Sequence, residues 1–130
     1  MERIEFVHSE NAPKAVGPYS QAIVHHGLLF ASGQIGLDPV SGRLVSDDVS
    51  AQAEQVMKNL QAVLTAAGCT MNDILKVSIY LTDMGDFASV NIQYAEWLGN
   101  HRPARATVAV AALPLDARIE MDLVAKVGGS

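Results

Sequence analysis

In the run Arg102-Pro103-Ala104-Arg105-Ala106-Thr107-Val108-Ala109-Val110, a guanidinium stands at the mouth of an otherwise apolar, strand-like segment. Val, Thr and Ala on both sides leave no polar face, the pattern of a strand covered on both faces. Arginine keeps its charge in any protein environment and offers a planar fork of donors matched to carboxylate or phosphate. Arg105 therefore needs an anion. Either an Asp or Glu of a neighbouring strand supplies it, or a small carboxylate ligand does.

A carboxylate of interest follows closely. From Arg118 to Val127 the chain alternates, with Ile119, Met121, Leu123, Ala125 and Val127 on one face and Arg118, Glu120, Asp122 and Lys126 on the other. If the last two strands form an antiparallel hairpin through residues 111–117, a turn centred between Leu113 and Pro114 sets Thr107 opposite Glu120 and Arg105 opposite Asp122, on one face. A one-residue slip would separate them. Glu120 then has two readings: an ion pair with the arginine, or a group that orients or deprotonates water, helped by a pKa raised through partial burial.

Asn91 falls four residues after Phe87, on an apolar helical stripe, where an amide needs partners or a ligand. Ser32-Gly33-Gln34 closes a strand with a glycine that permits close backbone approach to a ligand. Ser32 lacks a G-x-S-x-G elbow, and Gly33-Gln34-Ile35-Gly36 is not a phosphate loop. His8, His25, His26 and His101 show no metal-ligand spacing, so no metal is expected. Cys69 follows a helix-stopping glycine with no activating cation nearby in sequence and reads as an ordinary small residue. Tyr94 and Trp97 read as packing.

The elements that must position these groups follow from periodicity. Strands are expected over residues 3–8, 22–26, 28–35, 73–82, 105–110 and 118–127. Residues 11–21, with two prolines, a glycine and Tyr19, form an ordered loop, and residues 37–42 a turn. Ala53, Val56, Met57, Leu60, Val63, Leu64 and Ala67 make the stripe of one helix, with Asp47, Asp48 and Ser50 available as N-caps and Gly68 as its stop. A second helix runs over about residues 86–98, with Phe87, Val90, Tyr94, Trp97 and Leu98 inward. The order β-β-β-α-β-α-β-β predicts an α+β fold, a mixed sheet with both helices on one face, in a single domain spanning residues 1–130.

Composition bounds the function. Hydrophobic residues make up 49% and charged ones 18%, apolar enough for so small a domain that self-association is expected. The net charge of −5, without a basic cluster, disfavours nucleic acid as a partner. A single cysteine fits a reducing compartment. No apolar run is long enough for a membrane span, and Met1-Glu2-Arg3-Ile4-Glu5 lacks a targeting pattern, so a cytoplasmic protein with no membrane partner is expected.

Several short motifs carry a resemblance. Gly17-Pro18-Tyr19-Ser20-Gln21-Ala22, Ser32-Gly33-Gln34-Ile35, Asp38-Pro39, Ser41-Gly42, Leu44-Val45, Val90-Asn91, Pro103-Ala104-Arg105, Leu113-Pro114 and Ile119-Glu120-Met121 occur in order along nearly the whole chain. Together they resemble the Rid/YjgF family of reactive-intermediate deaminases. The resemblance implies a chorismate-mutase-like α+β fold, a homotrimer with clefts between subunits, and hydrolysis of 2-iminopropanoate and 2-iminobutanoate to 2-oxo acids and ammonia without a cofactor. It also implies that Arg105 grips the carboxylate, Glu120 positions water, and Tyr19, Gly33 and Asn91 line the pocket. The backbone at Thr107 would polarise the imine; Thr107 stands where many deaminating members have Cys, which bears on substrate preference more than on activity. Competing readings are a trimer that binds 2-oxo acids without turnover, and a deaminase of a pathway-specific enamine acid. Nucleic-acid cleavage, proposed for relatives, fits the charge poorly.

Overall fold

The computed structural model describes residues 3–128; Met1 and Glu2, part of the opening stretch read for a targeting signal, lie outside them. Six strands, β1 (Glu5–Val7), β2 (Ala22–His25), β3 (Leu28–Gln34), β4 (Ile74–Leu81), β5 (Ala104–Ala109) and β6 (Ile119–Lys126), form one sheet in the order β1-β2-β3-β6-β4-β5. Only β4 and β5 pair in parallel; the others are antiparallel. The expected mixed sheet with two helices is therefore what forms.

Each helix follows from its sequence. In α1 (Val49–Ala66) the predicted stripe is buried from Ala53 to Leu64. Asp48 caps its start by accepting from the Ala51 N–H at 3.0 Å, and Gly68, at φ +77°, ends it in the left-handed region. Helix α1 lies against β3 and β6, and α2 (Phe87–Leu98) beside α1. Alternate residues of β6, Ile119, Met121, Leu123 and Ala125, are buried beneath them. The three larger of these, Ile119, Met121 and Leu123, each stabilise the fold by roughly 1.5–3 kcal/mol. The β2–β3 hairpin turns on His26 and Gly27, at φ 51° and 75°, the pair of positive dihedrals that matches strand twist.

One expected pairing does not form. β4 lies between β5 and β6, so the last two strands make no hairpin: Arg105 is opposite Val77, Thr107 opposite Ile79, and Glu120 opposite Tyr80. The reason is connectivity. The connection from β4 through α2 returns β5 parallel to β4, as a helical crossover does, and β6 joins β4 on its other side in antiparallel register. Arg105 shares a face with Val77 and Leu123, the helix side, whereas Glu120 points to the open side.

Buried amides hold the surrounding loops. Gln21 accepts from the Ser9 N–H at 2.6 Å and donates to Ser9 O at 3.1 Å and Pro13 O at 2.9 Å. Gln52 donates to Ser46 O and accepts from the Arg118 N–H, each at 2.8 Å. A Cβ on Gly36 would lie 2.8 Å from Gln52 Cα, so only glycine lets the chain pass under α1 there. Asn59 donates to Leu37 O at 3.0 Å. The Arg118 guanidinium grips both oxygens of Asp86 at 2.8 and 3.0 Å, tying the start of β6 to α2. Cys69 is buried, donates to Lys126 O at 3.4 Å, and has its thiol pKa pushed up by burial and by Asp73, consistent with an unreactive residue.

Candidate functional site

On the helix side, α2 presents Phe87, Asn91 and Tyr94 to β5. Arg105 Nη1 donates to Asn91 Oδ1 at 2.6 Å, and its guanidinium carbon lies 5.3 Å from the Phe87 ring centre and 5.1 Å from that of Tyr94. Two ring faces and an amide fix the cation without neutralising it. Among the described residues no carboxylate pairs with Arg105, so the structural ion-pair reading does not hold. Asn91, placed on the apolar stripe by spacing, has this arginine as its partner. A cavity of about 480 Å³ opens beside them, lined by Asn91, Tyr94, Ala95, Arg102, Pro103 and Arg105.

Arg102 donates to Gly99 O at 2.6 Å and His101 O at 2.8 Å, anchoring the chain just past α2. Tyr94 is only 6% exposed and its hydroxyl has no partner, which burial accompanies with a raised pKa that Arg105 and Arg102 partly offset. Thr107, two residues on from Arg105 and on the same face, also has a buried hydroxyl without a partner. Its strand is the sheet's edge, so alternate backbone groups of β5 face away from the sheet.

Glu120, Tyr19 and Gly33 gather on the opposite side. They line a second cavity, of about 540 Å³, with Lys14 and the apolar residues of three loops. The β3–β6 ladder shifts register between Ala31 and Gln34, so Ser32 and Gly33 form a bulge across from Asp122. Ser32 Oγ donates to Ser20 O at 2.6 Å and pins the Tyr19 loop to that bulge. Gly33 was read as a place of close backbone approach; its missing side chain makes room for Glu120, whose Cδ would lie 2.8 Å from a Cβ there. Burial raises the Glu120 pKa above the usual 4.5, and neighbouring Asp122 raises it further. Asp122 itself accepts from Tyr80 Oη at 2.9 Å.

The predicted residues thus fall into two groups: Arg105, Asn91 and Thr107 on the helix side, and Tyr19, Gly33 and Glu120 on the open side. Sequence reasoning missed the aromatic support of the arginine. Phe87, Asn91 and Tyr94 lie at i, i+4 and i+7 of one helix, a spacing that could have marked all three as facing β5. The cavity wall from Lys14, Val16, Val40 and Leu115 carried no such signal. Among the described residues there is no cluster of metal-ligating side chains, and no helix long and apolar enough to cross a membrane.

Comparison with known proteins settles the ancestry. The family model described as Endoribonuclease L-PSP matches residues 9–127. A RutC family protein of Pyrococcus horikoshii is 49% identical over 93% of this chain and 96% of its own. The 2-iminobutanoate/2-iminopropanoate deaminase of Homo sapiens is 44% identical over 92% of this chain and 87% of its own. A solved structure from Yersinia pestis, described as the conserved Rid family protein YyfA, has 44% identity and a TM-score of 0.95, covering 96% of this chain and 100% of that one. With matches of this extent, an arginine clear of carboxylates and a glutamate raised in pKa over a glycine bulge, the chain belongs to the Rid/YjgF family.

Proposed function

We propose that this chain hydrolyses 2-imino acids and their enamine tautomers to 2-oxo acids and ammonia, in clefts shared between copies of a homotrimer. The observation that carries the reading is a complementary pair of unsatisfied groups: a cation without a carboxylate at Arg105 and a half-buried carboxylate without a cation at Glu120. The deaminases among its relatives give the chemistry.

Arg105 holds the substrate carboxylate, with Asn91 and the two rings fixing its fork. Glu120 accepts a proton from water, whose oxygen adds to the C=N carbon. The tetrahedral carbinolamine then collapses, the proton passing to the departing nitrogen, and the products are an oxo acid and ammonia. A protonated imine is already electrophilic, so orientation, charge neutralisation and a placed water suffice. Tyr19 and Gly33 border the reacting centre, and the open backbone edge at Thr107 polarises the imine.

Arg105 and Glu120 lie on opposite faces of one sheet, too far around it to share one small substrate, so the partner group comes from a second copy. The open face supports this: Phe6, Ile23 and Phe30 lie in register across β1, β2 and β3, and Phe6 and Phe30 are exposed. The single, buried cysteine accords with a reducing, cytoplasmic setting. The net charge of −5 opposes a phosphate-backbone ligand, whatever the family's nuclease description.

Decay of 2-iminopropanoate, generated from serine by a dehydratase, tests the activity; an unchanged spontaneous rate sinks it. Mixed oligomers of Arg105→Ala and Glu120→Gln subunits test the shared cleft. Each variant alone should be nearly inactive, while the mixture should regain a fraction of turnover, because some clefts combine an intact arginine with an intact glutamate. Failure of the mixture to regain activity overturns the sharing.

A further inference from the structure

Two carboxylates share the open face of β6. Glu120 and Asp122 stand two residues apart on one strand, so both project to the same side, about 7 Å apart along the chain. On the neighbouring strand β4, Tyr80 lies opposite Glu120 and Ser78 opposite Asp122. The Tyr80 side chain does not stay with its own register partner. It leans along the strands to the diagonal position, and its hydroxyl donates to Asp122 Oδ2 at 2.9 Å. That bond raises the Tyr80 pKa above the usual 10, burial and the charge of Asp122 adding to it, so the hydroxyl stays a donor at neutral pH. Among the described residues no hydrogen bond reaches the Glu120 carboxylate, which lies over Gly33 instead. The remaining surroundings are sparse in charge. Lys14 and Tyr19 share the hollow of Glu120, and the β3 bulge offers only Ser32 and Gly33. On β5, Ala106 and Val108 lie beyond Ser78 and Tyr80, while Lys76 and Lys126 stand farther along the face, past Asp122.

We propose that Tyr80 is a positioning residue: by donating to Asp122 it holds that group as the anion of the pair and leaves Glu120 as the carboxylate that takes and returns the proton. The inference rests on the deaminase reading and names what sets its base apart. A hydrogen bond donated to a carboxylate favours the charged form, and a fixed negative charge nearby makes a second carboxylate the better base. Without such a difference, two neighbouring carboxylates titrate as a pair and share one proton between them. Unequal surroundings divide the work. Water gives its proton to Glu120 and its oxygen to the C=N carbon, and Glu120 passes that proton to the departing nitrogen. Asp122 and Tyr80 end the cycle as they began it, acting through Glu120 alone.

The test follows the Glu120 carboxyl directly, by its ¹³C NMR shift against pH in protein labelled at the glutamate side-chain carboxyl. Loss of one signal in Glu120→Gln assigns it. Tyr80→Phe keeps the ring and removes the donor, and should lower the Glu120 midpoint by about half a pH unit while broadening the transition. Asp122→Asn removes the same bond from its other end, should lower the midpoint by about one unit, and stands should the first variant not fold. Adding Tyr80→Phe to Asp122→Asn should change nothing further, because the hydroxyl acts only through Asp122. The acid limb of kcat/KM for 2-iminopropanoate should move with each midpoint. An unmoved midpoint in Tyr80→Phe overturns the inference. So does an equal shift with and without Asp122, which would make Tyr80 a packing residue only. Neither result touches the deaminase reading. If no variant nor the wild type speeds imine decay, that reading fails, and with it any catalytic part for Tyr80, whatever the titrations give.

Discussion

The two halves of the site are held by different kinds of structure. The arginine half stands on regular elements: β5 supplies Arg105 and Thr107, and α2 supplies Asn91 and both rings against the guanidinium. The glutamate half takes Glu120 from β6, but everything around that carboxylate comes from a bulge and from loops, secured by amide side chains such as Gln21 and Gln52 whose bonds run to backbone groups. A helix and a strand position their side chains through periodic burial alone. Loops leave backbone groups to be satisfied one by one, and each satisfied group fixes geometry at the risk of a larger loss when its partner is removed. The first half is robust and charged, the second exacting and electrostatically tuned.

The sharpest way to separate the halves is kinetic. Glu120→Gln should lower kcat by about 10²–10⁴-fold while oxo-acid affinity stays near that of the wild type, since a base acts in the transition state and not in binding. Arg105→Ala should weaken that affinity itself, by about 10- to 100-fold. Isothermal titration with a 2-oxo acid beside steady-state rates reads both. Oxo-acid affinity that is unchanged in Glu120→Gln, beside a wild type that leaves the spontaneous rate of imine decay unaltered, would instead favour a binding trimer without turnover.

Stability should break the comparison in the same direction. Gln21→Ala removes hydrogen bonds to four backbone groups and should cost about 2–4 kcal/mol in denaturant unfolding, whereas Asn91→Ala, which removes one bond to Arg105 at the edge of a cavity, should cost under about 1 kcal/mol. Equal losses would show that the loops are not held as described.

The smallest effect concerns protons. Because Glu120 must be ionised to accept one, the acid limb of kcat/KM should lie above the usual 4.5, and Asp122→Asn should move it toward that value. Folding is linked with the opposite sign from an ordinary paired carboxylate. The folded chain binds this proton more tightly than the unfolded one, so the penalty is absent below pH 4.5 and grows as pH rises through the raised value. Glu120→Gln should therefore raise the melting temperature at neutral pH and leave it unchanged near pH 4. A uniform shift across that range would contradict the cause assigned to Glu120.

The same division governs what could be read from the sequence. The α1 stripe, its Asp48 cap and the turn at Gly27 follow from local chemistry and form as expected. Strand pairing does not. Proximity in sequence suggested that β5 and β6 pair, but the α2 crossover sets β5 parallel to β4, and β6 joins the other edge of β4. That single non-local choice moved Arg105 and Glu120 to opposite faces. Gly33 was legible as a place of close approach, yet the group that approaches comes from a strand far along the chain. Tyr94 was rightly read as packing, and its second use, against a cation, depends on where β5 ends up.

One buried group has a consequence for timing. Cys69 carries the chain's sole sulfhydryl and is closed in between the end of α1 and the end of β6, its hydrogen directed at Lys126 O. A thiol reagent can reach it only when that seam parts, so the labelling rate is a clock for local opening. The molecule carries its own stopwatch at the junction of its longest helix and a central strand, with no probe to be engineered in.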